Sequence, residues 1–349
     1  MADNGGFGIY APKILMPAEG TDLEKWATIA CDQYTSDPGY WQKAEELIGG
    51  APSTLDLQMP EAWLGEAGKG HEGHEAAIPR KMKAYLENGT LREIPEGFVF
   101  IKRETSSGTR RGLLALADMD RFDYRPGSKA LIRASEETVE SRLPVRVEIR
   151  KTAPLEMPHA MLLFRDPKDM LMGSLEVLTR NRRPLYDFPL MLGGGRIRGW
   201  LLQTIRDWNV VADIFNILLA QAEDGMLFAV GDGNHSLAAA KLCREQEKAR
   251  GISSDKRFAL VELVNLYDPA LQFLPIHRLV KDGQVIDYIH GEEECRALAE
   301  KLGCTADIRL PYPKEQLFSD IIKNGALPKK SFSIGRASDK RYYLECRRL

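Results

Sequence analysis

Five consecutive residues, Gly231, Asp232, Gly233, Asn234 and His235, put a carboxylate between two glycines and an imidazole three positions beyond it. A carboxylate at such a turn suits Mg²⁺, a hard ion that takes oxygen ligands and bridges to substrate phosphates. Backbone N–H groups that follow a glycine turn into a helix suit the phosphates themselves. His235 then stands where an imidazole donates to a phosphate oxygen or moves a proton. A plainer reading of these residues stays open, in which Asp232 closes the turn, Asn234 or Ser236 caps the helix, and His235 packs against a sheet.

A second group lies in "RASEETVESR", with Arg133, Glu136 and Arg142. Arginine forks recognise phosphate or carboxylate with two parallel hydrogen bonds, and Glu136 has the chemistry of a general base. The alternative is a solvated helix face laced with charge pairs. In "PIHRLV", His277 and Arg278 interrupt apolar sequence, so they require polar partners, either a ligand or backbone carbonyls. "CDQYTSD", residues 31–37, carries enough donors and acceptors to orient a small ligand. Cys31 has no activating neighbour in sequence and is not expected to act as a nucleophile. His71 and His74 have metal-like spacing but sit in a Gly-rich polar stretch that reads as an exposed loop. Gly193, Gly194 and Gly195 lack the spacing of a nucleotide-binding loop and read as a hairpin turn.

These groups need elements to hold them. Residues 226–230 are apolar, as in a buried strand, and residues 236–246 are rich in Ala, Leu, Lys, Arg, Glu and Gln, which favour helix. The pentapeptide is therefore the turn of a strand–turn–helix unit. "GFVFIKRET" and "RGLLALADM" flank a turn and predict a hairpin, as does "LYDFPLMLGGGRIRGWLL". After the acidic stretch that follows Arg133, "PVRVEIR" predicts an extended run broken by Pro144, and "SFSIGRASDKRYYLEC" predicts a closing hairpin. Hairpins together with a strand–turn–helix unit give an α/β to α+β fold with a mixed sheet and flanking helices.

With 349 residues, 44% hydrophobic and 28% charged, the chain is long enough for two domains or one elaborated domain. Soft boundaries divide it into residues 1–155, 156–290 with the glycine turn, and a small region 291–349. A formal charge of -2 gives no global attraction to nucleic acid or to an anionic membrane. No apolar run is long enough to span a membrane and no signal peptide is evident, so a cytoplasmic protein acting on a small-molecule ligand is expected. The five cysteines are scattered and odd in number, which predicts reduced thiols.

Together, "CDQYTSDPGYW", "APSTLDLQMPE", "IRASEETVESRLPVRVEIRKTAPLEMPHAMLLFRDP", "LYDFPLMLGGGRIRGW", "GDGNHSLAAAK" and "PIHRLV" resemble the bacterial and archaeal family called domain of unknown function 1015. Many members of that family extend further at the C-terminus, which implies a shortened final region here. The strand followed by "DGNHS" and a helix is similar to the "DGHHR"-like motif of the ParB/sulfiredoxin superfamily, which includes nucleotide-dependent free-serine kinases and CTP-dependent partition proteins. That similarity implies a phosphate loop at Gly231, Asp232, Gly233, Asn234 and His235. Asn234 stands where the superfamily often has His, and Ser236 where it often has Arg; Arg133, Arg142 or Arg278 would then supply the missing charge.

Three functions follow as expectations. The first is a Mg²⁺-dependent phosphotransferase that uses ATP or ADP and a small polar metabolite such as an amino acid. Its metal ligand would be Asp232 and its catalytic groups Glu136 and His235. Its phosphates would be held by Gly231, Gly233, Asn234 and Ser236 with Arg133, Arg142, His277 and Arg278. The second is a nucleotide-sensing or partner-binding module without turnover, and the third a metal-dependent hydrolase built on Asp232, His235 and His277.

Overall fold

A computed structural model describes residues 6–35, 37–64 and 71–349, with the side chains of Pro38, Arg142 and Val145 outside the description. Its spine is a ten-stranded mixed sheet. From one edge the strands run Tyr186–Pro189, Arg196–Leu202, Phe98–Thr105, Gly108–Asp118, Phe258–Asn265, Ala160–Phe164, Phe228–Asp232, Ile132–Ala134 and Phe122–Asp123, and Ile9–Tyr10 pairs beside Gly108–Asp118. Both predicted hairpins are present, as the antiparallel pairs 98–105 with 108–118 and 186–189 with 196–202. Three pairs are parallel, among them Phe228–Asp232 with Ile132–Ala134.

Period-two alternation feeds two cores. Phe98, Phe100, Leu113 and Ala115 face one side, where they meet Phe215, Leu171 and Leu237 from the helices Ile205–Ala220, Met170–Thr179 and Asn234–Ala249. Val99, Ile101, Leu114 and Leu116 face the other, against Trp26, Trp41, Trp63 and Tyr85 of the N-terminal region and Tyr342 and Leu344 of the C-terminal segment. Each large apolar side chain so buried contributes about 1.5–3 kcal/mol. On that second side, Leu163 and Ala229 pack with Phe318, Ile321 and Ile334. A three-stranded sheet, His277–Lys281 flanked by Gln284–Ile289 and Thr305–Asp307, packs with the helix Glu292–Leu302 into a small separate core.

Two expectations need correcting. Residues after Pro144 form no strand but the helix Leu143–Thr152. Helical spacing buries Leu143 and Val147 together and leaves Ile149 exposed, whereas a strand would have turned Val147 and Ile149 to one face. Pro144 lies in the first turn, where its missing N–H breaks no hydrogen bond. The closing hairpin does not form either: Ser333–Ile334 pairs with Phe273–Leu274, Tyr342–Tyr343 with Thr28–Ile29, and Arg347–Arg348 with Leu155–Glu156. Buried Arg341 explains the outcome, because it binds Glu262 of the main sheet and Glu345 at once and draws the segment inward. The main sheet takes strands from both sides of residue 155.

Candidate functional site

A cleft of about 1540 Å³ opens where the strand Phe228–Asp232 ends. Its walls come from the loop after Thr28–Ile29, the start of the helix Asn234–Ala249, the small three-stranded sheet and the segment 329–343. Gly231 to Ser236 line it, together with Glu136 and His277.

The turn has to be glycine. Gly233 adopts φ 81°, and a Cβ there would stand 2.8 Å from Ala160 Cα and 3.1 Å from the ring of His159. The first is closer than real Cβ atoms come, the second is tight, and the backbone conformation is one that L residues avoid. Asp232 turns one carboxylate oxygen to the Gly233 N–H at 2.8 Å and the other to Lys340 Nζ at 3.0 Å. Burial works against its charge, but Lys340, His159 and that N–H more than offset it, so its carboxyl lies below the ordinary range. A lysine ammonium thus stands 3.0 Å from the carboxylate that the sequence assigned to Mg²⁺. Among the described residues no side chain caps the helix: Gly233 is the cap residue, so the capping roles expected of Asn234 or Ser236 are not used. Asn234 instead donates to Ser135 Oγ at 3.4 Å, and its Oδ1 is buried with no hydrogen-bond partner. The first N–H groups of a 16-residue helix therefore face the cleft uncapped.

The other expected residues divide. His235 Nε2 accepts from the Val139 N–H at 3.1 Å, and His277, buried, accepts at Nδ1 from the Arg309 N–H at 3.1 Å. Glu136 accepts the N–H groups of Lys330, Ser331 and Phe332, so its carboxylate braces the segment that carries the lysine. Burial holds the Glu136 carboxyl above its ordinary value even so. Arg133 is not among the cleft-lining residues; it is buried against Asp224, with a 2.8 Å ion pair and further bonds to Asp224 O and Ala130 O. Arg278 lies over the Tyr288 ring, 5.8 Å from its centre, and is likewise not among the lining residues. The Arg142 side chain lies outside the described residues. His71 is no loose loop residue: it stacks on Trp63 at 3.8 Å, while His74 begins the helix His74–Glu87.

The fold adds residues that sequence reasoning passed over. His159 stands just before the strand Ala160–Phe164, with Nδ1 2.5 Å from Tyr343 Oη and Nε2 4.0 Å from Asp32. Tyr343 Oη in turn donates to Cys31 Sγ at 3.7 Å. Burial disfavours the imidazolium, but Asp32, Cys31 and Asp232 carry its pKa up to about 10. Burial foremost, and then Cys31 and Asp32, keeps Tyr343 a phenol. Lys329, Lys330 and Arg336 are exposed cleft residues, and their side chains form no ion pair among the described residues. The signal that marked His277, a polar residue inside an apolar run, marks His159 in "MPHAMLLF" equally well. Nothing local in "SDKRYY" announces that Lys340 and Tyr343 reach the turn.

Among the described residues, no group of three His, Cys, Asp or Glu is arranged to hold a metal ion, and no helix is long and apolar enough to cross a membrane. The model of the family described as Protein of unknown function (DUF1015) matches residues 15–348. No curated protein and no solved structure matches the chain.

Proposed function

The chain belongs to the DUF1015 family, whose description assigns no chemistry, and from the cleft itself we propose that it binds a nucleoside di- or triphosphate and transfers a phosphoryl group to a small polar metabolite. The observation that carries this reading is the uncapped helix start at Gly233, opening into a cleft that also presents the exposed side chains of Lys329, Lys330 and Arg336, which form no ion pair among the described residues. Oriented N–H groups and unpaired cations stabilise a phosphate, and the cleft is large enough to take a nucleotide. Lys340, held by Asp232 beside the turn, adds a positive charge of the kind that phosphoryl transfer uses to offset charge on the transferred group. Mg²⁺ enters this reading on the nucleotide's phosphates rather than through Asp232.

One observation favours a second reading, binding without turnover. The two carboxylates that the sequence placed in the chemistry are engaged, Asp232 by Lys340 and Glu136 by three backbone N–H groups, which leaves neither free as a base. Calorimetric titration with ATP, ADP and CTP, with and without Mg²⁺, tests both readings, using the wild type and a Lys330→Ala/Arg336→Ala variant. Binding weakened by about tenfold or more in the variant supports a phosphate site. Absence of binding by every nucleotide overturns both readings. Binding with no product from a panel of amino acids and other small hydroxyl compounds selects the second.

A further inference from the structure

Next to the glycine turn, three separate parts of the chain bring a thiol, an imidazole, a phenol and a carboxylate together. Cys31 and Asp32 come from the loop that follows Thr28–Ile29, His159 from the start of a central strand, and Tyr343 from the C-terminal segment. All four line the cleft. Their hydrogen bonds run in one direction. Tyr343 remains a phenol and donates to the sulfur, while the His159 nitrogen 2.5 Å from the phenol oxygen is a donor when the ring is charged. The Tyr343 hydroxyl is thus aimed at sulfur, a contact that steadies negative charge there during an attack. The charged groups facing His159 are Asp32 and Asp232 besides the thiol itself, and both carboxylates favour the imidazolium. The three buried cysteines, Cys243, Cys295 and Cys346, have no comparable surroundings: Cys243 and Cys295 donate to backbone carbonyls, and burial pushes the Cys346 thiol up.

We propose that Cys31 is a nucleophile that accepts an acyl group, with His159 as its acid–base partner, Tyr343 as the link between them and Asp32 as the group that orients the imidazole. In the step, Sγ attacks the carbonyl carbon of an activated acyl donor. The bond from that carbon to the leaving oxygen breaks, and the leaving group departs with the electron pair, taking up the proton of His159 if it is basic enough to need one. The product is a thioester on Cys31. Water or an acceptor amine then attacks the same carbonyl carbon, the thiolate leaves, and the proton lost by the acceptor returns to His159 where the ring gave one up, and otherwise passes to bulk water. His159 also abuts Gly233, so an acyl phosphate is the donor that would engage the thiol and the turn together. That choice of donor rests on the phosphate reading above, whereas the nucleophile does not.

The test incubates the intact protein with p-nitrophenyl acetate and separately with acetyl phosphate, and locates acetyl groups by peptide mass spectrometry. Iodoacetamide labelling across pH is followed in parallel. We expect acetylation at Cys31 by both donors. Alkylation of Cys31 should be faster at about pH 7 than that of Cys304, the other partly exposed cysteine, by about tenfold or more. Replacement His159→Gln should shift the labelling profile of Cys31 to higher pH, and Tyr343→Phe should shift it in the same direction by less. Both variants are compared at matched circular dichroism, so a variant that fails to fold leaves the other to decide. Acetylation by the ester alone upholds the nucleophile and removes the acyl phosphate. Labelling of Cys31 no faster than Cys304, or a profile that neither variant moves, overturns the proposal.

Discussion

Asp232 and Lys340 form a 3.0 Å ion pair between residues 108 positions apart, and this pair fastens the C-terminal segment to the glycine turn. The lysine is mostly buried and the carboxylate about two-thirds so. Replacing Lys340 by Met strands a carboxylate beside His159 and should cost about 1–3 kcal/mol in urea denaturation. In the double replacement with Asp232→Asn, part of that loss should return as a coupling of about 1 kcal/mol. Strictly additive losses would show that the pair contributes nothing to stability.

His159 sets a pH dependence of stability. Its folded pKa of about 10 lies above the value of about 6.5 expected in the unfolded chain. The folded state therefore binds the extra proton, and the stabilisation is complete below about pH 6.5 and lost as pH rises towards about 10. Denaturation midpoints measured across that window should fall for the wild type and stay flatter for His159→Gln. Parallel curves would remove His159 as the cause.

Glu136 ties down residues 330–332 through three N–H groups. Truncation to Ala leaves those donors without their acceptor and should cost about 2 kcal/mol. Limited trypsin digestion should then cut faster after Lys329 and Lys330. An unchanged cleavage rate would mean that the segment is held by other contacts.

Gly233→Ala meets both a left-handed backbone and the Ala160 Cα at 2.8 Å. The loss expected in chemical denaturation is about 2 kcal/mol or more. Gly127→Ala, also at positive φ but with open space around its Cβ, should cost about 1 kcal/mol. Equal losses would leave strain alone as the explanation and dismiss the steric contact.

Arg133 separates architecture from ligand binding. Its guanidinium is buried against Asp224, so Arg133→Ala should lower stability and leave the affinity for the proposed nucleotide in the folded protein unchanged. A selective loss of binding at unaltered stability would return Arg133 to the site.

The local parts of this protein were readable in the sequence because local chemistry dictates them. An apolar run, a glycine turn and strong helix formers specify Phe228–Asp232 and Asn234–Ala249, and alternation specifies both hairpins. Pairing at long range was not readable. "PVRVEIR" alternates like a strand, yet the face it shares with Cys243 and Ala239 of the neighbouring helix makes it helical. Within the site, the turn and His277 stood out by type and spacing. His159 carried the same signal as His277 but was passed over, whereas Lys340 and Tyr343 did not stand out, because their roles come from strand pairing that joins the two ends of the chain. Cys31 looked inert for the same reason: its partners lie far from it in sequence.

That strand pairing also orders events during synthesis. Tyr343 reaches Cys31 across 312 residues, and Lys340 reaches Asp232 only after the same segment has folded back. A nascent chain with residues 329–343 still inside the ribosome has every strand of the main sheet available but lacks one wall of the cleft and the cations that it carries. The cleft is therefore complete only once this late segment has emerged and docked, and a ribosome stalled before it would display the sheet without the cations proposed to hold a phosphate.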